Sequence, residues 1–339
     1  MRCLKPAVLF LMFLPLLYAC NKDLNVNADW QEITVVYGLL NQSDSVHDIK
    51  ITKAFLGPGN ALDFAKIADS SNFPDPLDVT MEEWSGSTLV KTFTFDTVTI
   101  HDKEAGDSIF YFPDQLVYRT VGNMGVGDTY KLFIRNPRTG SEVTSQTTLI
   151  HPFAIDKPQS YTKVTYEPGK NTVVEWDPAV NGRRYQLEIR FHYLEFPVGD
   201  TTAANKKDKY VNWLVFSDVE SATLNPPPGA STMKYNIPGD AFYVVLGGNI
   251  PVDPNVSRTA RDVEYIFSVA SDDLNTYMEV TEPSNTIVQE RPTFTNITNG
   301  IGLFASRYNN RKDNPLVLQL GQITLDELKV NENTKNLGF

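Results

Sequence analysis

The chain has 339 residues, of which 41% are hydrophobic and 21% are charged. It is acidic, with 41 Asp and Glu residues against 30 Lys and Arg residues and a formal net charge of −11. This charge excludes nucleic acid and anionic lipid head groups from the expected partners, because both are bound by Lys/Arg patches. The length is sufficient for two domains of ordinary size, each with its own hydrophobic core.

The first twenty residues have the pattern of a bacterial lipoprotein signal. Arg2 and Lys5 make the start basic, residues 7–17 are apolar, and the sequence Leu-Tyr-Ala-Cys that ends at Cys20 has the form of a lipobox. The apolar stretch is shorter than the roughly 20 residues that a membrane-spanning helix needs. An ordinary secretory signal and a membrane anchor are the alternative interpretations. We predict that residues 1–19 are removed and that Cys20 is acylated, with lipid and palmitate-like chains as the anchor.

The predicted cleavage limits the chemistry of the mature chain. The other cysteine, Cys3, leaves with the signal, so disulfides, cysteine nucleophiles and cysteine-ligated metal sites are excluded. Loss of Arg2 and Lys5 leaves 28 basic against 41 acidic residues, a net charge of −13.

After a polar tether at residues 20–29, the first half of the chain alternates between apolar and polar residues. This pattern, with turn residues between the segments, predicts short strands and a β-sandwich over residues 30–150. A helical pattern is predicted at residues 61–68. The predicted strands are 33–40, 48–54, 77–82, 88–95, 108–112, 129–135 and 142–149.

A second β-sandwich is predicted over residues 151–312. Residues 173–193 (VVEWDPAVNGRRYQLEIRFHY) resemble the B and C strands of a fibronectin type III domain, and residues 263–270 (VEYIFSVA) resemble its F strand. The resemblance implies that Trp176 and Tyr265 fill the core. Residues 196–261 are interpreted as an insertion in that domain.

Residues 313–339 are predicted to form a C-terminal extension, in which 326–332 form a short helix or stay irregular. Just before this extension, the glycines within the strand pattern of residues 296–304 indicate a bulge or a close backbone approach.

Three features together are similar to a family of Bacteroidota outer-membrane lipoproteins of undetermined function. They are the lipobox, the segment ITVVYGLLNQSDSVHDIKIT at residues 33–52 and the segment NITNGIGLFAS at residues 296–306. The resemblance implies an all-β protein encoded near TonB-dependent transporters, and it supplies no catalytic residue. The chain departs from the family at Asn299-Gly300, where a glycine pair is expected. Asn21, Lys22 and Asp23 resemble an export signal of such lipoproteins, which favours the cell surface over the periplasmic face.

No catalytic residue, metal site or cofactor is predicted. The four histidines lie at residues 47, 101, 151 and 192, without the short spacings that place two imidazoles on one face. The adjacent acids at 82–83 and 272–273 point to opposite faces if they lie on strands, so they do not form a glycosidase pair. Calcium binding by acidic loops stays open, although no DxDxDG pattern is present.

The predicted insertion contains the pattern that is most suggestive of binding. Tyr210, Trp213 and Phe216 lie in the alternating segment YVNWLVF, and exposed aromatic side chains would suit a protein interface or a sugar ring. The alternative is a hairpin that packs these rings on its own domain. We therefore predict a non-enzymatic, lipid-anchored outer-membrane protein that contacts an outer-membrane protein partner. A glycan- or ligand-binding lipoprotein is the alternative, and a hydrolase is less favoured.

Overall fold

The computed structural model describes residues 32–55, 67, 71–101, 114–200, 202, 205–227, 229–282, 293–313 and 315–339. Within these ranges the chain is mainly β-sheet with a few short helices, so the predicted all-β class is confirmed. The strands of the first half are β1 (Glu32–Leu40), β2 (Val46–Phe55), β3 (Asp78–Ser85), β4 (Thr88–Thr94), β5 (Asp96–Ile100), β6 (Gln115–Val121), β7 (Thr129–Arg135) and β8 (Glu142–Thr148).

The second half adds longer strands and the helices. They are β9 (Ile155–Lys157), β10 (Asn171–Trp176), β11 (Arg184–Pro197), β12 (Lys207–Glu220), β13 (Met233–Pro238), α1 (Gly239–Asn249), β14 (Val256–Ala270), α2 (Asp272–Thr281), β15 (Ile301–Asn309), α3 (Asn310–Asp313), β16 (Leu316–Gln319) and α4 (Gln322–Val330).

One large sheet runs through both halves of the chain. Its strand order is β12-β11-β14-β15-β1-β2-β6-β5, with β16 paired to β14. A four-stranded sheet, β4-β3-β7-β8, and a three-stranded sheet, β13-β10-β9, complete the described strands. The result is a β-sandwich-like arrangement, because inward side chains of the smaller sheets share hydrophobic cores with the large sheet.

Two hydrophobic cores follow from this arrangement. The first core joins β1, β2 and β6 to the four-stranded sheet, for example through Val36, Met81 and Leu132. The second core joins β11 and β14 to the three-stranded sheet, with Trp176 and Tyr265 both fully buried. The fibronectin resemblance thus selected two side chains that do lie in a core.

The strand β15 connects the two cores. It pairs in parallel with β1 over Val35–Leu40 and antiparallel with β14 at its other end. Phe304 is buried in the first core, and Tyr308, further along the same face of the strand, is buried in the second. Residues 301–309 therefore form one strand that pairs with the first half of the chain at one end and with the second half at the other.

The close backbone approach predicted from the glycines near residue 300 is confirmed. Gly302 has a φ of +114°, and a Cβ atom there would lie 2.0 Å from the carbonyl oxygen of Val36. Asn299, which precedes Gly300, has a φ of 60°. Asn tolerates this left-handed conformation better than most residues, which suits it to the turn before β15.

Most of the strands predicted from alternation are present, with shifts of a few residues at their ends. The structure adds β5 and β6, which the pattern did not predict, and it shows a helix, α4, where the C-terminal extension was left open. The strand predicted at 108–112 and the helical pattern at 61–68 lie outside the described residues, apart from residue 67.

Candidate functional site

The residues of the predicted anchor precede the described part of the chain. Cys20, Lys22 and Asp23 all lie before Glu32, where β1 begins. Their roles in lipidation and export therefore stay predictions. In the described part of the chain, no helix is both long and apolar enough to cross a membrane.

The three predicted contact aromatics all lie on β12 but in different environments. Tyr210 is 58% exposed, Trp213 is half-buried against the second core, and Phe216 is 6% exposed. Phe216 stacks on Trp176, with ring centroids 5.6 Å apart. Contact with a partner stays a prediction for this strand. Tyr210 is the most exposed of the three aromatic residues.

A β-bulge explains why Phe216 points inward. Leu187 of β11 faces Phe216, whereas the next residue, Glu188, faces Leu214, so Val215 is the extra residue. The extra residue shifts the alternation of β12 by one position. Side chains on both sides of the bulge can therefore reach the same core.

On the exposed face of β11 and β12, the polar side chains beside Tyr210 contact one another. The Arg190 guanidinium lies 4.6 Å from the centroid of the Tyr210 ring, and its Nε donates to Oδ1 of Asn212 at 2.7 Å. The His192 ring lies 6.2 Å from the Tyr210 ring. An Arg and a Tyr held side by side at the surface form the kind of pair that is enriched at protein interfaces.

The acids and histidines considered for catalysis have separate contacts: His101 lies 2.8 Å from Asp114, and His192 lies 3.8 Å from Glu264. Glu83 is buried and accepts a hydrogen bond from the Gly125 N–H, whereas Glu82 accepts one from the Trp84 indole. Asp272 pairs with Arg183, and Asp273 accepts from Asn296. Within the described ranges, no three His, Cys, Asp or Glu side chains are grouped so that they could hold a metal ion.

A concave surface lies where the large sheet passes from one core to the other. We call it the junction groove, and it has two lobes with volumes of about 490 and 620 Å³. The lobes adjoin, because five residues line both. These shared residues are Leu39, Asp44, Leu274, Met278 and Arg307.

The first lobe of the junction groove is lined by three arginines and by the acid Asp44, and both Arg307 and Asp44 also line the second lobe. Arg184, Arg307 and Arg311 line the first lobe together with amide and hydroxyl side chains. Arg184 reaches Glu282 at 2.8 Å, and Arg311 reaches Glu264 at 3.1 Å.

The second lobe has an aromatic wall and is also lined by Asp44, Asp48 and His47. Tyr37 and Tyr277 meet edge to face with centroids 6.1 Å apart, and their hydroxyl oxygens are 3.3 Å apart. This hydrogen bond, together with burial, raises the pKa of Tyr37 to about 12. Burial lowers the pKa of His47, which lies at the base of the lobe and is bonded to the Gly122 carbonyl oxygen at 2.8 Å.

Sequence reasoning did not predict the junction groove. Its lining comes from β1, β2 and the turn between them and from β11, β12, β14, α2, β15 and α3, which are far apart along the chain. Tyr37 and Leu39 lie in the segment that carries the family resemblance, but alternation in a strand gives no sign of a cavity. The sequence of each element taken alone therefore does not predict the groove.

The comparisons with known proteins leave the function open. No family model matches the chain, and no curated protein is significantly similar to it. Among solved structures, it has some similarity to a biofilm associated protein (BSP domain), with 8% sequence identity and a TM-score of 0.14. The match covers 74% of this chain and 56% of that chain, so this chain spans little more than half of that structure.

Proposed function

We propose that the chain is a non-enzymatic, lipid-anchored outer-membrane protein that acts as an interaction subunit of a membrane complex containing a TonB-dependent transporter. The observation that carries the proposal is the lipobox that ends at Cys20, behind a basic start and a short apolar stretch. Two or more acyl chains hold a protein stably on a membrane. The resemblance to Bacteroidota lipoproteins supports the choice of membrane and of partner.

The short distance between anchor and fold restricts where this protein acts. Eleven residues separate Cys20 from Glu32, the first residue of β1. A fully extended chain of this length reaches about 40 Å. The fold is therefore held close to the lipid surface, within reach of a protein embedded in the same membrane.

We propose that the fold consists of two β-sandwich domains in tandem, with an immunoglobulin or fibronectin type III-like connectivity in the second. The strand orders β9-β10-β13 and β12-β11-β14 on opposite sides of the second core support this connectivity. The burial of Trp176 and Tyr265 between these sheets agrees with it.

The proposed contact surface is the exposed side of β11 and β12 around Tyr210. This ring is presented with Arg190, and Leu214 on the same strand is 55% exposed. Trp213 and Phe216 hold the strand on the second core from its other side. We propose that partner contact is made by Tyr210, with Trp213 and Phe216 as its support.

A glycan- or ligand-binding surface lipoprotein is the second candidate. The observation that favours it is the junction groove, because cavities of about 300–1,000 Å³ with a few converging polar groups are typical of ligand sites.

The anchor is tested by substitution of the lipidated cysteine. We expect Cys20→Ala to abolish incorporation of a clickable fatty-acid analogue and to leave the signal uncut by the lipoprotein-specific peptidase, because the acyl acceptor is gone. Labelling of the variant and the wild type is compared after metabolic feeding, and a serine-to-alanine change at Ser43 serves as the control. Equal labelling of Cys20→Ala and the wild type would contradict the anchor.

The orientation is tested by protease treatment of intact cells. We expect the wild type to be digested, because Lys22 and Asp23 are proposed to direct it to the surface, and a variant with both residues changed to alanine to be protected. Immunoblots with a periplasmic marker show whether the cells stay intact. Protection of the wild type in intact cells, followed by digestion after lysis, would place the protein on the periplasmic face.

A further inference from the structure

One edge of the large sheet is a long strand with a single neighbour. The sheet begins at β12, which pairs with β11 and with no other strand of the described chain. Alternate N–H and C=O groups of such a strand point away from its neighbour and can pair with a further extended chain. β12 has 14 residues, whereas β5 at the opposite edge has 5, so β12 is the longer template.

The bulge at Val215 limits the regular part of this edge. From Lys207 to Leu214 the pairing with β11 advances one residue at a time, and the register shifts only beyond Leu214. A bulge bends and twists the strand, which interrupts pairing with a further neighbour. The part that can accept another strand is therefore residues 207–214, which we call the lysine edge.

Lysines give this edge a positive charge. Lys207 and Lys209 are exposed on the strand and Lys206 precedes it, and none of the three has an ion-pair partner among the described residues. The one acid of the segment, Asp208, is paired with Arg261 at 2.7 Å. In a chain with a net charge of −11, this stretch favours an acidic partner.

The exposed side chains of the lysine edge lie on two faces. Lys207 and Lys209 are on the face that continues to Trp213, which packs against the second core. Tyr210 and Leu214 are on the other face, and both are more than half exposed. A strand beside the lysine edge would therefore meet charge on one face and exposed aromatic and aliphatic side chains on the other.

We propose that an acidic, extended segment of the membrane partner adds to the lysine edge as an antiparallel strand. Its carboxylates lie opposite Lys207 and Lys209, and its apolar side chains lie on the other face beside Tyr210. Main-chain hydrogen bonds supply the affinity, and these cross-strand pairs supply the selectivity. The inference rests on the proposed function, since it gives the partner contact at Tyr210 a binding mode and a charge.

A second copy of this chain fits the lysine edge less well. If residues 207–214 of two copies paired, Asp208 would be the only acid offered to the lysines, and it already contacts Arg261. The lysines of the two copies would also be brought together on adjacent strands, and like charges there are destabilising. An acidic segment of another protein avoids both costs.

The probe is the fluorescein-labelled peptide Val-Thr-Thr-Thr-Val-Glu-Thr-Glu-amide. In the antiparallel register its first and fifth residues lie opposite Leu214 and Tyr210, and its two glutamates lie opposite Lys209 and Lys207. The mature polypeptide, residues 21–339 without acyl chains, keeps every described residue. We expect saturable binding in fluorescence anisotropy, and about tenfold weaker binding of the peptide with lysine in place of both glutamates.

N-methylation separates strand addition from a contact made through side chains alone. Successive amides of a strand point to opposite sides, so methyl groups on alternate residues block the ladder in one phase and leave it free in the other. We expect one of the two phases to abolish binding of the acidic peptide and the other to retain it.

Charge reversal of the lysine edge is the decisive variant. We expect Lys207→Glu combined with Lys209→Glu to weaken binding of the acidic peptide about tenfold at an unchanged melting temperature, and to bind the lysine peptide more tightly than the wild type does. Lys163→Glu combined with Lys329→Glu is the matched control, because it changes the net charge equally at two exposed lysines on other surfaces. The control should bind like the wild type.

Several results would overturn the proposal. They are the absence of saturable binding of the acidic peptide, equal binding in both N-methylation phases, and unchanged binding by the Lys207→Glu, Lys209→Glu variant. A concentration-dependent dimer of the wild type that this variant abolishes would assign the lysine edge to a second copy, which also overturns it.

Co-purification from solubilised membranes separates this inference from the proposed function. A membrane partner recovered equally by the wild type and by the charge-reversed variant would overturn strand addition and leave the interaction subunit standing. Phase-dependent binding of the acidic peptide, with no membrane partner recovered, would support the lysine edge and count against the proposed membrane complex.

Discussion

Trp213 and Tyr210 on β12 have different environments, so substitution of each should have a different effect. The half-buried Trp213 ring packs against the second core, with its centroid 6.2 Å from that of Tyr166 and 6.3 Å from that of Phe242. Tyr210, three positions earlier, has its ring over the Arg190 guanidinium and in solvent. One strand therefore combines a core side chain with a surface side chain, and changes in stability and in partner binding should be separable.

We expect Trp213→Ala to lower the free energy of unfolding by about 3 kcal/mol, because it leaves a cavity in an aromatic core. Tyr210→Ala should cost less than about 1 kcal/mol, since it removes an exposed cation–π contact. If Tyr210 contacts the partner, the same change should weaken co-purification from solubilised membranes by about 2 kcal/mol of binding. Urea denaturation and quantitative pull-down measure the two effects.

The result for Tyr210 decides the proposed interface. Unchanged recovery of partners by Tyr210→Ala, at wild-type stability, would contradict a contact at this surface. A loss of partners by Trp213→Ala alone would be explained by unfolding of the second core.

At the level of elements, alternation predicts strands but not which strands pair. The pattern at residues 33–40 identified β1, yet its parallel neighbour β15 begins at Ile301, and no local pattern encodes that pairing. Likewise β5 was not predicted after the strand at 88–95, because the chain passes from one sheet to another at the buried Phe95 without a turn sequence. The groove was not predictable for the same reason, since its walls meet only through long-range pairing.

The glycine signal was more informative, because it reports a local requirement of the backbone. Gly302 combines a positive φ with a backbone so close to β1 that a Cβ atom would lie 2.0 Å from the Val36 carbonyl oxygen, so a side chain must push β15 away from β1. Gly140 has a φ of +73° in the exposed turn between β7 and β8, with no atom within 4 Å of its Cβ position. The two positions share a positive φ and differ in the backbone contact that a Cβ atom would meet.

We expect Gly302→Ala to lower the free energy of unfolding by at least about 3 kcal/mol, because backbone atoms cannot yield as a flexible side chain can. Gly140→Ala should cost about 1–2 kcal/mol, which is the penalty for a left-handed alanine alone. Chemical denaturation of both variants measures the difference. Equal losses would show that the approach to Val36 does not restrict the pairing of β1 with β15.

At the level of the whole molecule, the continuous sheet makes the two cores depend on each other. Phe304 is fully buried in the first core and Tyr308 is 3% exposed in the second, on one strand of nine residues. Ser306, between them, accepts a hydrogen bond from the Ile150 N–H at 3.0 Å, at the chain's passage between the halves. If β15 separated from one core, the other core would also lose this central strand.

We therefore expect residues 21–339 to unfold in one cooperative transition, with equal calorimetric and van't Hoff enthalpies. Phe304→Ala should lower stability by about 3–5 kcal/mol and should speed hydrogen exchange in both β7 and β11, although it touches the first core directly. Phe133→Ala on β7, whose ring is 38% exposed, is the control and should affect neither core strongly. Two separate calorimetric peaks, or slow exchange in β11 while β7 opens in Phe304→Ala, would show instead that each core is stable without β15 as a shared strand.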